Sequence, residues 1–177
     1  MARPMQRKFK PIWIQMAATL SQDESVHIVA YEENLKQHIE DTLEKTNADM
    51  NQIDFVIAPS DDVWIRDTGP IFVKDEKGQL AIMSFSFDGW GKRCPIQRII
   101  KFPQSVAEQK IIPIIDASDL VMEGGSMEIS ADGTLMATKS SVVSNNRNAS
   151  LNTNASGRFI KKVSGRQTIY MAGWCPV

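Results

Sequence analysis

What this chain lacks narrows its identity first. It has only two cysteines, Cys94 and Cys175, far apart among 177 residues. They form neither a close-spaced zinc pair nor a disulfide framework, so a reducing, cytoplasmic setting is the simplest expectation. The two histidines, His27 and His38, make no metal-ligand pair. One falls in an expected strand and the other on an expected helix, and both read as structural or solvent-facing. No Ser-His-Asp order and no phosphate-cradling glycine loop occurs, so no cofactor is expected. No apolar run reaches the roughly 18 residues of a membrane span, and the N-terminus lacks an apolar core followed by a small-residue cleavage site. Charge of one sign is also missing: 20 Lys and Arg against 21 Asp and Glu leave a net charge of -1. That excludes a general nucleic-acid or membrane-surface binder, whose affinity rests on phosphate neutralisation. Arg3, Arg7, Lys8 and Lys10 are the local exception. Residues 1–11 read as a solvated basic tail, with a basic recognition arm as the alternative.

The length suffices for one domain with a real core, and no break in composition divides it. Val26 to Tyr31 is β-branched and reads as a strand. In the following Glu32 to Thr46, Leu35, Ile39 and Leu43 recur every four residues and place one apolar stripe on a helix. Glu32 and Glu33 early and Lys45 late suit its dipole. Ile53 to Ala58 is a second strand ended by Pro59, and strand, helix, strand in this order predicts parallel pairing. Ile71 to Val73 and Gln79 to Phe87 predict a hairpin around Asp75-Glu76-Lys77-Gly78. Residues 88 to 110 carry no clear pattern. Further strands are expected over Ile111 to Ile115, Ser126 to Ser130, Thr134 to Thr138 and Thr168 to Met171, with a turn at Ala131-Asp132-Gly133 and a loop over Asn145 to Asn154. The two β-rich stretches do not repeat residue by residue, but each carries a polar motif beside a strand, as two related α/β modules would.

The most unusual segment is Asp61-Asp62-Val63-Trp64-Ile65-Arg66-Asp67-Thr68-Gly69-Pro70. Charges between two apolar strands need partners. In one reading Arg66 ties down the acids and Gly69-Pro70 turns the chain. In the other this is a cation site, where Asp67 binds a planar guanidinium through two parallel hydrogen bonds and Trp64 covers the cation or its stem. Spacing alone leaves both open. In Glu123-Gly124-Gly125-Ser126-Met127-Glu128-Ile129, the glycines permit tight or left-handed backbone and close approach of a ligand, with Glu123 projecting into a cleft. Standing alone, that segment is more simply an ordinary turn into a strand. Phe85-Ser86-Phe87-Asp88-Gly89-Trp90-Gly91-Lys92 fits core packing with loop geometry, and less readily a pocket wall. Cys94 has basic neighbours but no histidine beside it in sequence, and reads as non-catalytic.

Together these motifs resemble the agmatine deiminase and bacterial peptidylarginine deiminase family. DDVWIRDTGP is similar to the family's signature of acids, tryptophan, arginine, aspartate, glycine and proline. FSFDGWGK resembles its phenylalanine-asparagine-glycine-tryptophan-glycine segment, with Asp88 where asparagine is usual. MEGGSMEISADGTLMATKSSVVSNNRN resembles its glutamate-glycine-glycine segment and the strand pair after it. Three motifs in this order are specific, and the similarity runs from about Ile12 to Met171, about the middle of a family member.

The resemblance implies an α/β fold: a partial α/β propeller of the pentein-like, guanidine-modifying type, about two of five modules around a central cavity. It implies a hydrolase acting on a guanidinium group, converting agmatine to N-carbamoylputrescine and ammonia in putrescine biosynthesis. In that chemistry a cysteine attacks the guanidinium carbon, ammonia leaves, and water hydrolyses the thiouronium intermediate. A histidine acts as acid and base while carboxylates hold the positive charge. Asp67 matches the aspartate that grips the guanidinium, Glu123 the glutamate that supports the histidine and orients the substrate, and Trp64 a tryptophan of the pocket. Agmatine is the first expectation for the substrate, then peptidyl or free arginine.

Two family motifs have no counterpart: a histidine-x-aspartate, and a glycine-rich segment before the histidine-cysteine pair that carries the nucleophile. Cys175, in AGWCPV, does not fit the second. An early stop or a frameshift is the preferred explanation, and the isolated chain is expected to be inactive. Two modules alone expose edges and apolar faces, so a homo-oligomer, a complementing C-terminal half, poor solubility or a rearranged fold is expected. Two other functions compete. One is a non-catalytic guanidinium or polyamine binding module that keeps Trp64, Asp67 and Glu123. The other is a metal-dependent hydrolase using Asp61, Asp62, Asp67, Glu123 and Glu128, disfavoured by the arginine inside the acid cluster.

Overall fold

The computed structural model describes residues 4–60, 62–75, 77–94, 101–130, 134–150 and 169–172. Two compact units follow one another along the chain, Met1–Pro59 and Ser60–Val177.

In the first unit, α1 (Pro4–Leu20) precedes β1 (Val26–Ala30), α2 (Glu33–Leu43), a 3-10 turn (Met50–Gln52) and β2 (Ile53–Ile57). β1 and β2 pair in parallel, from Val26 opposite Ile53 to Ala30 opposite Ile57. Parallel neighbours need a crossover, and α2 supplies it. The α2 stripe points where its spacing requires: Leu43 is fully buried, and Ile39 packs into the same cluster as Val26, Ile28, Ile53 and Phe55. α2 ends at Leu43, so Lys45 lies past its last turn.

The N-terminal segment departs from expectation. The residues read as a tail are helical from Pro4 onward. A proline in the first turn gives up only an N–H that has no helical partner there. Further along, Ala17 and Ala18 bury and Ile14 packs against the α2 cluster, so tertiary packing decides where local composition does not. Ser21 locks the end of this helix: its fully buried hydroxyl donates to the Ala18 carbonyl (3.0 Å) and accepts the Asp49 N–H (3.0 Å). His27 stands opposite Asp54, with Nδ1 2.9 Å from its carboxylate and both side chains exposed. His38 is exposed on α2.

The second unit runs α3 (Ile65–Thr68), β3 (Ile71–Lys74), β4 (Leu80–Ser86), a short turn α4 (Gly89–Lys92), α5 (Phe102–Lys110), β5 (Ile114–Val121), a 3-10 turn (Gly124–Ser126), β6 (Met127–Ile129), β7 (Leu135–Thr138), α6 (Lys139–Val142) and β8 (Ile169–Ala172). The expected hairpin is present, with β3 antiparallel to β4. The stretch without clear pattern holds α5, which carries the chain across so that β5 lies parallel to β4. β5 starts at Ile114 rather than Ile111, because Ile111 ends α5 as a left-handed cap (φ 55°).

The next strands repeat the plan: β6 is antiparallel to β7, and β8 is parallel to β7. The sheets β3-β4-β5 and β6-β7-β8 thus share their order and their sequence of strand senses, as two related modules would. Leu120, Met122, Met127, Leu135, Ala137 and Val142 bury together between them, with Ile71 and Phe85 against them. Each fully buried Leu or Val contributes about 1.5–3 kcal/mol. The expected turn at residues 131–133 and the C-terminal Gly173 to Val177, including Cys175, lie outside the described residues.

Candidate functional site

The site begins with the turn before β3. Asp62 spends its carboxylate on local backbone, Oδ1 accepting the N–H groups of Val63 (2.6 Å) and Trp64 (3.2 Å). The Trp64 carbonyl then accepts the Asp67 N–H (3.0 Å) and the Thr68 hydroxyl (3.1 Å). This single helical turn swings the half-buried Asp67 inward. Its Oδ1 accepts the Gly125 N–H at 3.1 Å and its Oδ2 accepts the Trp90 indole N–H at 2.9 Å. A β-carbon on Gly125 would overlap Asp67 Oδ1, and one on Gly124 would overlap the Arg66 carbonyl oxygen. The glycine pair therefore serves close approach, but of the protein's own α3. Neither glycine is left-handed.

The left-handed backbone lies elsewhere. Gly89, Trp90, Gly91 and Lys92 have φ of 73°, 60°, 78° and 62°, four in succession. For Trp90 and Lys92 this costs roughly 1–2 kcal/mol each, so surrounding contacts must hold the turn. Asp88 caps it, Oδ1 accepting the Gly91 N–H at 2.8 Å. Phe87 packs edge-on against the Trp90 ring with centroids 5.0 Å apart. The result aims the indole N–H at Asp67. Asp88 Oδ2 is buried without a hydrogen-bond partner among the described residues.

Glu123 precedes the turn before β6 and is 3% exposed. Its Oε1 accepts the Arg147 Nε–H at 3.0 Å, and Nη2 of the same guanidinium lies 2.9 Å away as an ion pair. Burial pushes its carboxyl above the ordinary glutamate value; the Arg147 hydrogen bond and charge pull it back, and the charges of Asp88 and Asp67 push it up again. Those three acids therefore share one electrostatic neighbourhood. Asn148 pins the loop that carries Arg147. Its Oδ1 accepts the Val121 N–H (2.8 Å), and its Nδ2 donates to the carbonyls of Val121 (2.8 Å) and Val142 (2.7 Å).

Of the residues singled out from sequence, Asp67 and Glu123 come together. Trp64 does not bond Asp67; its side chain is 62% exposed, and Trp90 supplies the aromatic contact instead. Arg66 is exposed, and among the described residues no ion pair ties it to an acid. Asp61 lies outside the described residues, and Glu128 is exposed on β6. No group of three His, Cys, Asp or Glu side chains among the described residues could hold a metal ion. Cys94 is a free, exposed thiol. No helix among the described residues is long and apolar enough to cross a membrane.

Sequence reasoning missed Trp90, Asp88, Arg147 and Asn148 as members of the site. The Gly-Trp-Gly triplet hinted at the first. Arg147 could have been noticed as the one charged residue between Lys139 and Arg158. An open groove of about 540 Å³, lined by Gln104, Ala107, Glu108 and Ile111 to Ile114, lies along α5 and not at the carboxylates. Asp67, Asp88 and Glu123 against Arg147 leave negative charge in excess, which suits a cation with several planar N–H donors.

Comparison with known proteins identifies the family. The model of the Porphyromonas-type peptidyl-arginine deiminase family matches residues 2–174, a start ten residues ahead of the motif resemblance at Ile12. The agmatine deiminase of Pseudomonas aeruginosa (strain LESB58) is 34% identical over 112 residues, 60% of this chain and 30% of that protein. The solved agmatine deiminase of Enterococcus faecalis superposes with a TM-score of 0.79 at 22% identity, covering 93% of this chain and 46% of that one. A substrate-bound agmatine deiminase of C. jejuni gives 0.79 at 20% identity, covering 95% and 48%. The chain thus has the fold of these enzymes and spans about half their length.

Proposed function

Because the chain belongs to the Porphyromonas-type peptidyl-arginine deiminase family, we propose that it is the guanidinium-gripping part of an agmatine deiminase-like hydrolase. The overall reaction is agmatine plus water to N-carbamoylputrescine plus ammonia, carried out in the cytoplasm. The resemblance assigns the cysteine nucleophile and the histidine-x-aspartate to segments with no counterpart in this chain, so the roles that fall here are binding and orientation. The observation that carries this reading is the convergence of Asp67 and Glu123 from separate turns, with Asp67 locked to the Gly125 N–H. Each Asp67 oxygen accepts one bond from the protein and has a lone pair left for a second. A guanidinium can add two parallel N–H bonds there, while the exposed Trp64 covers its face or its aliphatic stem. The excess of carboxylates favours agmatine, which carries two positive charges, over the single charge of a peptidylarginine side chain. Exposed Phe72, Ile111, Ile129 and Met136 support a partner that covers them, a second copy or a complementing half.

The test is a thermal melt with and without agmatine, alongside an ammonia assay. Agmatine at about 100 times its dissociation constant should stabilise the folded chain by about 2.7 kcal/mol, and Asp67→Asn should abolish that gain. Unchanged stabilisation in the variant sinks the role of Asp67. Stabilisation without ammonia release by the intact protein would make it a binding module instead.

A further inference from the structure

Arg147 meets Glu123 in an uncommon way. A guanidinium facing a carboxylate often pairs two donors with two oxygens. Here Nε (3.0 Å) and Nη2 (2.9 Å) both close on Oε1, and Oε2 has no bond among the described residues. The remaining arm is occupied too, Nη1 donating to the Ser140 carbonyl at 3.2 Å. The next residue, Asn148, is buried and satisfied on three backbone groups, so the loop cannot swing freely. Gly91 of the left-handed turn lies against the same guanidinium, where a β-carbon would stand 3.8 Å from its central carbon.

We propose that Arg147 is a positioning residue of this site: by clamping one oxygen of Glu123, it fixes the plane of the carboxylate and presents the other oxygen to the guanidinium ligand. The groups facing Glu123 are Arg147 from its loop, Asp67 from α3 and Asp88 ahead of α4. Two of them are acids, so Arg147 is the facing group whose charge opposes proton uptake by this buried glutamate. Without a proton, Oε2 accepts a cationic donor more strongly and carries no O–H to oppose it. The role deepens the guanidinium-site reading and rests on it.

The experiment uses the full chain, carbon-13 labelled at the glutamate carboxyls, with Glu123→Gln to assign the signal. Carboxyl titration and agmatine binding by calorimetry are followed from pH 5 to 9 for the unaltered chain, Arg147→Gln and Arg147→Lys. In Arg147→Gln the Glu123 titration should move upward, and agmatine affinity at neutral pH should fall about tenfold, the loss of one oriented charged partner. Much of that affinity should return at the alkaline end. Arg147→Lys should restore the titration and, at neutral pH, only as much affinity as Arg147→Gln regains at the alkaline end, because an ammonium supplies the charge without the planar fork. Two results overturn the proposal: a Glu123 titration indifferent to Arg147→Gln, or an affinity loss equal in both variants at every pH, as a loop support alone would give. Failure of the unaltered chain to bind agmatine at any pH overturns the guanidinium-site reading itself, and the role of Arg147 with it.

Discussion

Asp67 and Glu123 occupy equivalent places in two sheets of one plan. Each stands four residues ahead of the sheet's first strand, Asp67 before Ile71 and Glu123 before Met127, in a short helical turn or at its edge. They are nevertheless held by opposite means. Asp67 is half-buried and takes neutral donors, a backbone N–H and an indole N–H. Glu123 is buried and takes a guanidinium. The difference follows from solvent. A partly wet carboxylate keeps much of its hydration and needs only orientation. A dry one must be offset by an opposite charge or give up its own. Module equivalence therefore repeats the position of an acid without repeating its chemistry.

Three changes break or sharpen this contrast. The largest effect is expected from Gly125→Ala, which drives a β-carbon into Asp67 Oδ1. It should destabilise the fold by roughly 1–3 kcal/mol in urea unfolding and remove agmatine stabilisation; a variant as stable as the parent would show that the two turns are not interlocked. Next is Trp90→Phe, which deletes one neutral donor to Asp67 while keeping a ring against Phe87. About 1 kcal/mol should be lost in urea unfolding.

The smallest effect belongs to Glu123 and appears only against pH. Its carboxyl is raised in the folded state, chiefly by burial, so the folded chain binds the proton more tightly than the unfolded one. Stability from this group is full below the unfolded glutamate value and falls as pH rises through the folded one. Glu123→Gln should flatten the fall in melting temperature across that window. A fall of equal slope in parent and variant would place its cause elsewhere.

The legible parts of the fold were those whose pattern is local. The α2 stripe of Leu35, Ile39 and Leu43, the flanking strands and the β3–β4 hairpin all come from spacings of four or two, and they stand as read. α1 was illegible because its apolar residues lie on both faces: Ala17 and Ala18 bury while Trp13, Met16 and Leu20 stay about half exposed. α5 was hidden by a start at Phe102-Pro103 and by an end at Ile111, a β-branched residue in a left-handed cap, where local preference predicts strand. The run of four left-handed residues at Gly89 to Lys92 could not be foreseen either, since nothing local makes Trp90 or Lys92 favour it.

By itself the sequence determined the chemistry on offer: acids beside an arginine, a glutamate ahead of two glycines, an indole between two more, and net charge near zero. Residue type and short-range spacing are properties of the chain, and they suffice to suggest a site for a guanidinium. Only the tertiary structure decided which partners meet. It gave Asp67 to Trp90 and Gly125, Glu123 to Arg147, and left Arg66 exposed without an acid among the described residues. Burial, dielectric and donor direction are set by residues distant along the chain, and those quantities fix whether a carboxylate is charged, oriented and open to a ligand.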